Sequence, residues 1–181
     1  MTMPRLFLMF LTALLFTGVD VAHAQSLLHI AQRGDIRAAR RYLDRGGNAN
    51  EANQNGVTAV FVAAENGHAD FIRFLAANGA NVNKKAFQNQ APLTPLIAAA
   101  QKGHSAAILA LLDAGADIEA TSSHGLTALH AAAYYGHMAS VRALVARGAN
   151  RNALFRETLT PAALAQSQGH TEVLNFLQTS R

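Results

Sequence analysis

The sequence predicts an all-α solenoid: five helix-turn-helix repeats stacked side by side, joined by hairpin-like finger loops. Three recurring markers predict it. A Gly-His pair stands at Gly67-His68, Gly103-His104, Gly136-His137 and Gly169-His170, with Gly34-Asp35 in the equivalent place, so the glycines are spaced 33, 36, 33 and 33 residues apart. The threonines Thr58, Thr94, Thr127 and Thr160 are spaced 36, 33 and 33. The pairs Gly46-Gly47, Gly79-Ala80, Gly115-Ala116 and Gly148-Ala149 are spaced 33, 36 and 33. One register satisfies all three series, with three extra residues between Asn83 and Thr94. The expected repeats span about 25–52, 53–85, 86–121, 122–154 and 155–181.

Residues 1–24 read as a cleaved signal peptide ahead of this domain. Arg5 precedes an apolar run of eleven residues, Leu6 to Phe16, and Ala22-His23-Ala24 supplies small residues where signal peptidase reads them. Cleavage is expected between Ala24 and Gln25. The run is well short of the ~20 residues a bilayer-spanning helix needs, so a removed signal is expected rather than an anchor. A periplasmic or secreted protein of a Gram-negative bacterium is the expected setting. The chain has no cysteine, which suits an oxidising compartment and excludes disulfides, thiolate metal sites and a cysteine nucleophile.

In each full repeat a threonine caps the first helix, and Pro95 and Pro161 occupy first turns, where a missing N–H costs nothing. Ala63-Ala64, Ala99-Ala100 and Ala132-Ala133 are small enough for neighbouring first helices to approach closely. Glycine turns the corner, an apolar second helix follows (Phe71, Ile72, Phe74 and Leu75, or Val141, Leu144 and Val145), and another glycine stops it. The first repeat begins at its first helix, LLHIAQRGD, and Arg37, Arg40 and Arg41 on its second helix suit an outward polar cap. The last ends after its second helix, where Gln178 replaces an apolar residue. A unit of this size cannot bury its apolar face alone, so neighbours must stack.

This pattern resembles the ankyrin repeat. The motifs that carry the resemblance are TAVFVAAENGH with GANVNK, TPLIAAAQKGH with GADIEA, TALHAAAYYGH with GANRNA, and TPAALAQSQGH. The resemblance covers about Gln25 to Arg181. The chain departs from the family at the helix-start histidine, kept only as His130 and replaced by Phe61, Ile97 and Ala163. It departs again at Thr158, which stands at a usual glycine position, so a less regular last finger is expected.

The resemblance implies that His68, His104, His137 and His170 are structural, hydrogen-bonding across the turn between helices, and that His130 holds a helix start. Catalysis has little support. Carboxylates are scattered, no Gly-rich phosphate loop follows a strand, there is no His-Glu-x-x-His helix, and no serine sits in a strand-turn-helix elbow. A non-enzyme without cofactor or metal is expected. Partner-facing positions in the family are the two residues before each Gly-His corner and the finger residues before each helix. Carried onto this chain, the partner-binding set is Gln32, Arg33, Glu65, Asn66, Phe87, Gln88, Gln101, Lys102, His124, Leu126, Tyr134, Tyr135 and Arg156. Tyrosine offers large contact area with few rotors, so Tyr134 and Tyr135 are the leading anchors. The insertion KKAFQNQAPLTPL either projects Phe87 as a contact or folds it back. Arg33, Arg37, Arg40, Arg41 and Arg45 make a basic end, read as a solvated capping face rather than a nucleic-acid site.

The expected function is protein binding through a concave face, by a monomer without membrane anchor or nucleic-acid partner. Two narrower alternatives follow. One, suggested by resemblance to bacterial periplasmic ankyrin proteins, is an accessory role to a catalase in peroxide defence by haem delivery, with Tyr134, Tyr135, His124 or His29 as ligand. The other is an immunity or inhibitor protein against a periplasm-acting toxin.

Overall fold

The computed structural model describes residues 26–88 and 91–179. The expected leader and its cleavage point lie outside the described residues.

Ten helices are described, in five consecutive pairs: α1 (Leu27–Arg33) and α2 (Ile36–Asp44), α3 (Ala59–Glu65) and α4 (Ala69–Ala77), α5 (Pro95–Lys102) and α6 (Ser105–Asp113), α7 (Ala128–Tyr134) and α8 (Met138–Ala146), α9 (Pro161–Ser167) and α10 (Thr171–Thr179). The first members form an inner row in which α1, α3, α5, α7 and α9 each pack on the next. The second members form an outer row, tightest between α4 and α6. Residues Ala59 to Ala64 of α3, Pro95 to Ala100 of α5 and Ala128 to Ala133 of α7 are buried all round. Such helices have no polar face to give to water, so each needs neighbours on both sides as well as its own partner helix.

The helix starts follow from side chains that can accept a backbone proton. Thr58, Thr94, Thr127 and Thr160 accept from Phe61, Ile97, His130 and Ala163, and Ser26 does the same for α1 through His29. Pro95 and Pro161 lie in the first turns of α5 and α9.

The corner histidines correct the sequence reading in one respect. Each hydrogen-bonds to the preceding repeat, not across its own turn. The Nε2–H groups of His68, His104, His137 and His170 donate to the carbonyls of Gln32, Glu65, Gln101 and Tyr134 at 3.0, 3.1, 3.0 and 3.0 Å. Each ring also lies against the corner glycine of that preceding repeat. A Cβ on Gly103, for example, would sit 2.8 Å from His137 Cγ. The corner of the first described repeat carries Asp35 in place of histidine, and its carboxylate caps α2 by accepting from Ala38 N–H at 3.0 Å.

Loops between pairs repeat a second set of bonds. In each loop a side-chain oxygen (Asn48, Asn81, Asp117 or Asn150) accepts the N–H two residues on. Asn50 donates to Gly79 O and accepts from Asn81 N–H, and Asn83 does the same with Gly115 and Asp117. Glu119, at the next equivalent position, accepts from Asn150 N–H at 2.7 Å. A carboxylate has no proton to donate, so this loop junction is tied from one side.

The insertion builds the one hairpin among the described residues. β1 (Ala86–Gln88) and β2 (Ala91–Leu93) pair antiparallel with Phe87 opposite Pro92. Phe87 N–H donates to Asn55 O of the finger before it at 2.8 Å, and Lys85 Nζ reaches Thr121 O at 2.8 Å in the finger after it. The extended finger is thereby fixed on both sides. The last finger is irregular, as Thr158 suggests. The left-handed backbone that Gly125 supplies in the preceding finger falls instead on Arg156 and Glu157, at φ 51° and 63°.

In the first described repeat Glu51 makes a contact that sequence patterning does not show. Glu51 accepts the backbone N–H of Leu27 at 2.8 Å and the hydroxyl proton of Tyr42, tying α1, α2 and the first loop together. Burial, followed by the Glu51 hydrogen bond and charge, raises the Tyr42 phenol above its ordinary value.

Gly103→Ala and Gly115→Ala separate the two demands on glycine. Both have left-handed φ, but nothing lies within 4 Å of a Cβ at Gly115, whereas Gly103 faces the His137 ring. Urea unfolding should show Gly115→Ala costing about 1–2 kcal/mol from backbone alone. Gly103→Ala should cost about 1–3 kcal/mol more, from the displaced ring. Equal losses would mean that the histidine contact adds nothing.

Candidate partner-binding surface

The residues before the corners lie at the carboxyl ends of the inner helices, one pair per repeat. Gln32, Glu65, Gln101 and Tyr134 are the residues whose carbonyls the next repeat's histidine holds. Their side chains therefore leave a backbone clamped from the neighbouring repeat. Asn66 is held too, its side-chain amide donating to Val62 O at 2.8 Å.

Exposure divides the sequence-derived set. Gln32, Arg33, Asn66, Lys102 and Arg156 are exposed, and Glu65 and Gln101 are half-buried. Phe87 is 57% exposed, so the hairpin projects its ring rather than folding it back. Leu126 is partly buried and packs against the core, which is where its apolar side chain is satisfied. Gln88 lies on β1, and His124 on the short turn Ser123–Gly125.

Tyr134 and Tyr135 are 39% and 50% exposed. Both rings are available, and they are not independent. Tyr134 meets Tyr135 edge to face at 5.0 Å between centroids, and Tyr135 stacks on His137 at 6.0 Å with the planes 21° apart. His137 is itself fixed through Nε2 to Gln101 O. The three rings form an ordered aromatic ledge, a feature sequence reasoning missed because it took His137 only as a corner residue. The Tyr-Tyr-Gly-His order was its available signal.

A second feature is an open hollow lined by Gly125, Leu154, Glu157 and Arg156, the last a member of the sequence-derived set, with Leu154 52% exposed. Its rim carries the two left-handed residues of the last finger. Arg156 covers the Phe155 ring at 5.1 Å, and Phe155 approaches His130 at 6.1 Å.

His130 connects that finger to the inner row. It is fully buried. Nδ1 accepts Thr127 N–H at 3.2 Å, closing a capping box, and Nε2–H is shared between Ala153 O at 3.1 Å and Leu159 O at 3.0 Å, on either side of the finger. The bond accepted at Nδ1 requires the neutral ring. Burial lowers the imidazole pKa below 6.5, opposed in smaller part by the carbonyls of Leu159 and Ala153 and by Glu119.

The architecture is a helical repeat solenoid that displays side chains from clamped helix ends. A family model described as ankyrin repeats (3 copies) matches residues 27–122 and 118–180, and the chain belongs to the ankyrin-repeat family. Among similar proteins is an ankyrin repeat protein of fowlpox virus (strain NVSL), FPV222, 31% identical over 67 residues. The match covers 37% of this chain and 9% of that protein. Ankyrin repeats generally mediate protein–protein interaction, and proteins built from them are typically non-enzymatic.

Because the unfolded chain takes up a proton at this position more readily than the buried ring, the stability His130 contributes is complete above the ordinary value of 6.5 and is lost as pH falls through the lowered one. Urea midpoints measured from about pH 8 to about pH 5 should fall for the native sequence, and less steeply for His130→Gln. At about pH 8 that variant should already be destabilised by roughly 1–3 kcal/mol, through lost partners for buried groups. Parallel pH profiles would show that the histidine does not titrate between the two states.

Proposed function

We propose that this protein is a non-enzymatic binding module that captures a folded partner protein on the concave side of the inner row, with the Tyr134–Tyr135 ledge as the anchor. The observation that carries the reading is the clamping of the display positions. Side chains set on carbonyls that four corner histidines hold lose little further entropy on binding. Two exposed tyrosines pre-stacked on one another and on His137 add rigid amphipathic area at that surface. Arg33, Asn66, Lys102 and the projecting Phe87 are the surrounding contacts.

The partner is to be identified by affinity capture with residues 25–181 and mass spectrometry, then purified for a direct titration. Tyr134→Ala/Tyr135→Ala, checked for native helicity, should weaken binding by about thirtyfold or more, the loss of a hot spot worth about 2 kcal/mol. An unchanged Kd for the double variant would move the contact to the fingers or the outer row and sink this assignment.

The proposed setting is the periplasm or the exterior, reached through the general export route. The amino-terminal residue of the protein recovered from that compartment should be Gln25. A chain still carrying Arg5 and its apolar run would make the segment an anchor instead.

A further inference from the structure

The amino-terminal end carries a second surface whose chemistry differs from the ledge. Four arginines against one aspartate lie between Ile36 and Arg45, a net +3 in ten residues, beside +4 for the whole chain. At 100° per residue, Arg37, Arg40 and Arg41 fall within an arc of about 100° on one side of α2, and Arg45 is the residue that follows the helix. All four are exposed. Among the described residues none of them has a carboxylate at ion-pair distance, whereas Arg73, Arg142 and Arg147 do. Arg40 lies 5.2 Å over the Phe74 ring, which fixes its place on the arc. The nearby Asp35 is committed to capping the helix.

What this face lacks identifies what it fits. A protein interface needs an apolar centre, but among the described residues the exposed large apolar side chains are Phe87, Tyr134, Tyr135 and Leu154, all in other repeats. A single nucleic-acid strand is held by exposed aromatic faces as well as charge. The one aromatic on α2, Tyr42, is half-buried and has its hydroxyl bound to Glu51. Exposed guanidinium groups side by side along α2 match a plane of phosphates, to which each can donate a pair of N–H bonds. No helix among the described residues is long and apolar enough to cross a membrane, so contact of this kind is peripheral.

We propose that the α2 face docks the solenoid onto an anionic phospholipid surface. Arg37, Arg40, Arg41 and Arg45 engage lipid phosphates while the Tyr134–Tyr135 ledge, on a different helix row and repeat, takes no part.

Residues 25–181 should co-sediment with vesicles of phosphatidylcholine containing about a third phosphatidylglycerol, and not with phosphatidylcholine alone. Binding should weaken steeply between about 50 and about 300 mM salt. Each arginine contributes about fivefold, so Arg37→Gln/Arg41→Gln/Arg45→Gln should lose about a hundredfold. Arg73→Gln/Arg142→Gln/Arg147→Gln removes the same charge from other repeats, outside the partner-binding set, and should stay within a few-fold of the native sequence. Circular dichroism on both variants establishes that they are folded. Equal losses in the two triple variants would reduce the effect to net charge and overturn the proposal. So would failure to bind the mixed vesicles, including the case in which duplex DNA or an acidic protein is retained instead through the same arginines.

Discussion

The stack depends on one recurrent contact, the corner histidine that lays its ring on the previous repeat's glycine and donates its Nε2 proton to the carbonyl two residues before that glycine. That carbonyl ends an inner helix, where the backbone has no partner of its own. A neighbouring repeat therefore does more than cover apolar surface. It satisfies a polar group that would otherwise face a crowded corner, and it allows only a residue without a side chain opposite the ring. Spacing between repeats, helix termination and the identity of the corner pair are consequences of the same few atoms.

The binding surface inherits its rigidity from this arrangement. Tyr134 is at once the last residue of α7 and the carbonyl that His170 holds, so what orders the final repeat also orients the ledge. At the other face of that repeat, His130 joins the start of α7 to both ends of the last finger. Ledge and irregular finger thus hang from opposite ends of one seven-residue helix. The lone buried side-chain polar atom without a partner among the described residues, Ser140 Oγ, lies in the companion helix α8.

Much of the fold was legible because its determinants are local. The threonine caps, the prolines in first turns and the glycines at corners each act within a few residues, so period and type together specify helix starts and stops. The histidine bond was assigned to the wrong side for the complementary reason. Its acceptor lies 36 or 39 residues away, and composition does not say whether a ring turns toward its own helix or the repeat before. Among the surface positions, spacing located the carboxyl ends of the inner helices but not what the side chains do there. Leu126 turns inward, Phe87 outward, and Tyr135 finds His137, outcomes decided by packing between elements. The displacement of the left-handed conformation from Thr158 onto Arg156 and Glu157 was foreshadowed only as irregularity.

The histidine links also have a direction in time. In each of the four corner links the donor lies later in the chain than its acceptor, and never more than one repeat later. A chain that emerges with its amino end leading can therefore make each corner link as soon as its histidine is out, while His130 and Lys85 wait for acceptors in the following repeat. The Glu51 bonds to Leu27 and Tyr42 likewise lie within the first described repeat and its loop, so they form before the second repeat settles on it.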